Sequence, residues 1–322
     1  MAVVWITPEE VTPASTTWTD IDNANIPDGA SGAILHIVNT TGSDQVIGWR
    51  KNGSADDRTR VMEEETHFWT MVGVDGSGIF EAQVGSTVAV DIYLVGYSQD
   101  ECTFFTNGID HSSTVTGSWS DIDISADTSG DTAIGAIFEV TGSFGRWGFR
   151  KNGSADDRTG QTQETNQHCG AIIGVDGSEI CEHQVSSLGL DAFLTGYCTS
   201  GAVFNTDATD VSLASTAAWQ NLTALPSSAS GATIESFNNS FTDAKYGLRK
   251  DGSTEDIFFD AALHCWGIVE SSTQVIEGQI ENMNADFFVT GYFLEGTTAA
   301  AAQIFADRGL FRGINRGIGR GI

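Results

Sequence analysis

The sequence predicts an all-β protein: three tandem β-sandwich domains, jelly-roll or immunoglobulin-like, followed by a C-terminal Arg/Gly tail. Three observations lead there. The chain carries a threefold internal repeat, its apolar residues fall in short β-rich runs broken by turn dipeptides, and its composition changes after Gly296.

The repeat fixes the organisation. Residues 48–59 read GWRKNGSADDRT and residues 148–159 read GFRKNGSADDRT, while residues 247–258 read GLRKDGSTEDIF. Upstream, Trp18 with Asp20, Ile21 and Asp22 returns as Trp119 with Asp121, Ile122 and Asp123, and more loosely as Trp219 with Leu222. Downstream, HFWTMVGVDGSGIFEAQV (67–84) returns as HCGAIIGVDGSEICEHQV (168–185) and HCWGIVESSTQVIEGQI (264–280). Each copy closes alike, with VDIYLVGY (90–97), LDAFLTGY (190–197) and ADFFVTGY (285–292). The third copy has drifted furthest. Short polar joints place the domains at 1–107, 108–206 and 207–296, with the tail at 297–322. No Pro-rich linker separates them, so the domains are expected to pack closely.

Within a copy the pattern is that of strands. Residues 33–38, 45–49, 68–72, 79–84 and 90–97 are short β-rich runs. Asn52-Gly53, Asp75-Gly76, Asn152-Gly153 and Asp176-Gly177 supply the turns between runs. Such a series of short strands in each copy describes a β-sandwich; jelly-roll is preferred to immunoglobulin-like.

Charge excludes one class of function. Against 43 acidic residues stand 15 basic ones, with only Lys51, Lys151, Lys245 and Lys250 among the lysines. A body this negative repels phosphate backbones, so the domains are not expected to bind nucleic acid. The five cysteines (Cys102, Cys169, Cys181, Cys198, Cys265) do not recur with the repeat and read as buried free thiols of a reducing compartment. Neither a signal peptide nor a membrane-spanning run is visible, so synthesis in a cytoplasm is expected.

Candidate chemistry is sparse. His67, His168 and His264 recur, followed by Glu81, Glu182 and Glu277. One recurring His is too few for a zinc site, and a buried His bonded to a neighbouring strand explains the pattern. The block Arg50, Lys51, Asp56 and Asp57 returns as Arg150, Lys151, Asp156 and Asp157, and in part as Arg249 and Lys250. Turn sequences drift, so this near identity points to a reused assembly contact, with Arg50 and Arg150 expected to pair with the neighbouring Asp residues. Asp20, Asp22, Asp121 and Asp123 alternate on a strand and are the weak candidates for calcium, but no calcium-loop pattern surrounds them. The recurrent Trp residues are assigned to packing rather than to sugar stacking. No catalytic or cofactor-binding motif is present, and neither enzyme activity nor a cofactor is expected.

In the tail a tetrapeptide repeats through Arg308, Arg312, Arg316 and Arg320, with Leu310, Ile314, Ile318 and Ile322 between them. Evenly spaced cations and aliphatic anchors suit docking of an extended peptide on another subunit. Tandem β-sandwiches ending in such a peptide resemble, over the whole chain, accessory virion proteins of tailed phages and archaeal viruses: capsid decorations, turrets, head fibres or tail proteins. The resemblance implies a structural or attachment component, located in the virion. It also implies a tail that anchors to a capsid or tail subunit, and copies that associate about a symmetry axis. The alternative is a glycan-binding adhesive cell-surface module, with a host surface glycan as its partner.

Overall fold

The computed structural model describes residues 3–161, 167–216, 218–223, 225–238, 244–261 and 264–294. All regular structure among them is strand. The first repeat contains β1 (Val3–Glu10), β2 (Thr19–Ile21), β3 (Gly32–Asn39), β4 (Gln45–Lys51), β5 (Arg60–Met62), β6 (Thr66–Gly73), β7 (Phe80–Val84) and β8 (Val90–Ser98). The second contains β9 (Cys102–Asp110), β10 (Ser120–Asp123), β11 (Gly135–Gly142), β12 (Arg146–Lys151), β13 (Gly160–Gln161), β14 (Gln167–Gly174), β15 (Ile180–Val185) and β16 (Leu190–Cys198). The third contains β17 (Ala202–Asp210), β18 (Gln220–Leu222), β19 (Ala229–Asn238), β20 (Lys245–Lys250), β21 (Phe259–Ala261), β22 (His264–Glu270), β23 (Ile276–Ile280) and β24 (Ala285–Leu294).

Every repeat pairs its strands in the same way. In the first, β1-β8-β3-β6 form one sheet segment and β2-β7-β4-β5 the other, and the second and third repeats match position for position. Successive strands alternate between the two layers except at the β4–β5 hairpin. That alternation is the winding of a jelly-roll and not of an immunoglobulin sandwich, which settles the choice left open by the sequence. The β4–β5 turn, and its two counterparts, needs a left-handed residue, supplied by Gly53, Gly153 and Gly252 at φ +78°, +81° and +75°.

The repeats share sheets. Strand β5 pairs in parallel with β14 of the second repeat, joining Val61 to Gln167. Strand β21 pairs in parallel with β6 of the first repeat, joining Asp260 to Thr66. Two eight-stranded sheets therefore run across repeat boundaries. At the corresponding place between the second and third repeats, the Gly160 backbone lies against the His264 side chain, so close that a Cβ there would meet the His264 Cβ at 2.1 Å. Repeat one thus meets two, two meets three, and three meets one. The chain closes into a ring about a pseudo-threefold axis, with β6, β14 and β22 in mutual contact.

Burial records this arrangement. Strand β8 (VDIYLVGYS) alternates buried with half-buried residues, as a strand with one covered face should. Strands β3, β6, β11 and β14 are buried at every position, because the sandwich core covers one face and a neighbouring repeat the other.

The expected joints at Asn107 and Thr206 fall inside strands. Strand β9 pairs with β16 and β17 pairs with β24, so residues 102–110 and 202–210 belong wholly to the following repeats. Their second halves read as polar joints because they run along a sheet edge beneath a loop of the preceding repeat. The tail, 297–322, including Arg308, Leu310, Arg312, Ile314, Arg316, Ile318, Arg320 and Ile322, lies outside the described residues.

Candidate functional site

The recurrent sequence blocks build two devices, a clasp within each repeat and a seam between repeats. In the clasp, Arg50 stands opposite Glu81 in the β4–β7 ladder. Its guanidinium donates to both Glu81 oxygens, at 2.8 and 3.0 Å, and to the Asp56 carbonyl. It also lies 4.2 Å over the Trp18 ring, whose Nε1 donates to Asp57 at 2.9 Å. Arg150, Glu182, Trp119 and Asp157 repeat this geometry, as do Arg249, Glu277, Trp219 and Asp256. The expected pairing of Arg50 and Arg150 with the Asp56/Asp57 and Asp156/Asp157 carboxylates does not form. The cross-strand Glu is nearer in register and takes the guanidinium instead. Each recurrent Trp is half-buried, covered on one face by an Arg, and its indole N–H is already engaged.

In the seam, the loop after β4 grips the next repeat. Lys51 Nζ donates to the Phe104 carbonyl at 3.0 Å, and Ser54 Oγ donates to Asn107 at 3.0 Å. The Asp56 carboxylate takes the Gly108 N–H at 2.7 Å. Between the second and third repeats, Lys151, Ser154 and Asp156 hold Phe204, Asp207 and Ala208 in the same manner. Asp156 is held below the usual carboxylate range: burial opposes this, and the bonds from Arg158 and the Ala208 N–H outweigh it.

Beneath this grip lies a buried ionic network. Arg58 donates to Glu139 of the second repeat at 2.8 and 2.6 Å and to Asp56 at 2.9 Å, with its guanidinium 4.3 Å over Phe193. Glu139 Oε1 lies 2.6 Å from His168 Nε2, and His168 Nδ1 lies 3.2 Å from the Ile47 carbonyl of the first repeat. The second seam is equivalent. Arg158 bonds Glu235 at 2.8 Å and stacks 4.1 Å over Phe288, while His264 lies 2.6 Å from Glu235 and 2.8 Å from the Trp147 carbonyl. Burial works against both guanidinium charges, but the carboxylates hold Arg58 and Arg158 above their ordinary range.

The third seam differs. His67 Nε2 donates to the Tyr246 carbonyl at 3.0 Å, but His36 stands where the other seams have Glu, 2.9 Å from His67 Nδ1. Ile257 stands where they have Arg. His36 stacks on Trp69 at 3.8 Å. Burial depresses both imidazoles, His67 to about 3, with His36 further lowered by its neighbour His67. Lys250 turns away to Glu270, at 2.6 Å. The recurrent His residues are therefore seam residues, each bonded to the backbone of another repeat.

Arg58, Arg158, Glu139, Glu235 and His36 escaped the sequence reading. One signal was available: Arg at 58 and 158 becomes Ile257 in the third copy, and Glu at 139 and 235 becomes His36 in the first. Those two changes meet at one seam.

The remaining candidates lie elsewhere. Asp20 and Asp121 are exposed opposite Glu81 and Glu182 on edge strands, Asp22 is exposed just beyond its strand, and Asp123 takes the Ser125 N–H at 2.9 Å. No three His, Cys, Asp or Glu side chains converge as metal ligands among the described residues. All five cysteines are buried, with Cys102 Sγ and Cys198 Sγ 2.6 Å apart on paired strands. No helix among the described residues is long and apolar enough to cross a membrane.

No protein-family model and no curated protein sequence matches the chain. Among solved structures, a chain of the Sulfolobus Turreted Icosahedral Virus atomic structure is similar at 10% identity and TM-score 0.23, covering 87% of this chain and 84% of that one. A chain of the X-ray structure of the entire lipid-containing bacteriophage PM2 is similar at 6% identity and TM-score 0.14, covering 94% and 89%. Likenesses this low bear on neither fold nor mechanism.

Proposed function

We propose that the protein is a non-enzymatic structural component of a virion or similar extracellular assembly, anchored to a partner subunit by its C-terminal tail. One observation carries the reading: three jelly-rolls in one chain share sheets across their boundaries and close into a ring. The recurrent residues, which in an enzyme or lectin would line a cleft, are spent on clasps and seams. The result is a rigid three-lobed block of pseudo-threefold symmetry, suited to sit on a symmetric partner or to pack with copies of itself. The cavity at the third seam, about 80 Å³, falls well short of the roughly 300–1,000 Å³ of ordinary ligand pockets. The glycan-binding alternative is not favoured, since Trp18, Trp119 and Trp219 already serve their own Arg and Asp partners.

The test is particle size with and without residues 307–322, by light scattering and electron microscopy. The reading expects regular oligomers, or association with larger particles, that depend on the tail while the domains stay folded. A monodisperse monomer in both forms would refute it and direct attention to glycan arrays.

A further inference from the structure

Two of the three seams display what the third lacks. In each of the first two, an Arg guanidinium fills a slot bounded by an aromatic ring (Phe193 or Phe288), a loop carboxylate (Asp56 or Asp156) and a Glu of the next repeat. The third seam keeps much of that slot. Tyr93 stands in the place of the Phe residues and Glu255 in the place of the Asp residues, but Ile257 has replaced the Arg. The space has opened: its cavity is about 80 Å³, against about 20 and about 10 Å³ at the same place in the other seams. Room for one water needs only about 10–15 Å³, so this cavity holds a group of several heavy atoms.

Its walls suit a cation. Trp5, His36 and Trp69 present aromatic surface, and the Arg249 and Lys250 charges are matched by Glu277 and Glu270. That leaves the Glu255 carboxylate, which takes Ser253 Oγ at 3.3 Å and has no ion pair among the described residues. Burial raises its pKa, against the opposing pull of Ser253 and Arg249, as expected of a half-buried carboxylate short of a cation.

The described chain ends close by, at the start of its own tail. Trp5 Nε1 donates to Ser230 Oγ at 3.3 Å, and Ser230 Oγ donates to the Leu294 carbonyl at 3.4 Å. The last described residue is thus one side chain away from a wall of the cavity. Thirteen residues lie between Leu294 and Arg308, a span of up to about 46 Å when extended, so the tail can fold back with length to spare. A tether of this kind gives an effective concentration on the order of millimolar.

We propose that the third seam is a guanidinium site, and that its occupant is an arginine of this chain's own Arg/Gly tail, seated against Glu255 and the Trp5–Trp69 aromatic wall. One arginine completes the seam as Arg58 and Arg158 complete the others, and the remaining tail repeats stay available to a partner. The inference stands whether or not the protein belongs to a virion.

The test uses the full chain and the Nε–Hε NMR resonances of its arginines, with tail signals identified by Arg→Lys variants at 308, 312, 316 and 320. One tail arginine should resonate away from the free position, and its shift should survive tenfold dilution. Ile257→Arg, which fills the slot from within as in the sister seams, should return it to the free position. Glu255→Gln should lower the bound-to-free ratio about tenfold or more, as loss of a charged hydrogen bond does. Circular dichroism checks that each variant folds, and the two variants act independently. Four tail arginines at the free position in the parent chain would overturn the proposal, as would a displaced signal unaffected by Ile257→Arg. A shift that grows with protein concentration would assign the occupant to a second copy and overturn the own-tail assignment.

Discussion

The first two seams and the third seam solve one packing problem with opposite chemistry. Where repeat one meets two, and two meets three, an Arg of one repeat crosses to a Glu of the next whose side chain is only 2% or 1% exposed, and a buried His backs the Glu. Where three meets one, both charges are gone together, replaced by Ile257 and a neutral His36–His67 pair. Physical chemistry explains why they left together. A buried ion pair is often close to neutral against an apolar substitute, whereas one buried charge without its partner costs about 3–5 kcal/mol. The two positions are 221 residues apart in sequence, yet they share one environment because the ring closes there.

The comparison breaks most readily at Glu139. Glu139→Gln should cost about 3 kcal/mol, the low end for a broken buried pair, because Arg58 loses its most buried counter-charge and keeps Asp56. His36→Gln, at the same position of the third seam, should cost about 1–2 kcal/mol, since only a neutral hydrogen bond and a ring stack are lost. Urea midpoints at unchanged slope measure both. Equal losses would mean that the two chemistries are not distinct. A double-mutant cycle sharpens the point: His36→Glu alone should destabilise, and adding Ile257→Arg should recover much of the loss through a favourable coupling.

Acid should find the third seam next. His67 is neutral and buried in the fold, with its pKa at about 3, and His36 is lowered as well. Unfolded imidazoles protonate near pH 6.5, so their contribution is complete above that value and is lost as pH falls toward 3. For His67 alone the loss at pH 4 is about 3 kcal/mol. His183, lowered to about 4 by burial and then by His111, adds to the same window from the second repeat. Denaturation at pH 7, 5.5 and 4 tests this, and the double variant carrying His36→Glu with Ile257→Arg should reduce the slope. A double variant as acid-sensitive as the parent would place the lability outside the seam.

Much of this architecture was legible and some was not, for identifiable reasons. The all-β class and the Asn-Gly turns were visible because strand period and turn glycines are local, and the triplication because like blocks recur in the text at 48–59, 148–159 and 247–258. In the recurrent Arg-Lys block, the side-chain partner of Arg50 differs from the one its sequence suggests. Sequence proximity suggested Asp56 and Asp57 for Arg50, whereas a ladder brings Glu81 directly opposite from 31 residues away. The polar halves of β9 and β17 looked like linkers because edge strands under a neighbour's loop need no apolar alternation. Ring closure was invisible. It is expressed only in the fully buried runs GAILHIVN and QHCGAIIG, which by themselves read equally as ordinary core strands.

The smallest expected effect concerns what the comparison leaves equal. The clasps lie within repeats and do not sense which neighbour follows: the Arg-to-Trp distances are 4.2, 4.2 and 4.0 Å, and the indole N–H reaches an Asp at 2.9, 2.8 and 3.0 Å. Trp18→Phe, Trp119→Phe and Trp219→Phe should therefore each cost about 1–2 kcal/mol, the sum of one charge-assisted hydrogen bond and part of a cation–π contact. They should agree with one another to within about 0.5 kcal/mol, the usual spread for independent sites. A third-repeat value far from the other two would show that the altered seam reaches into the clasp through Arg249 and Trp219, which both border the cavity. Agreement would confine the divergence of the third repeat to the surface where it meets the first.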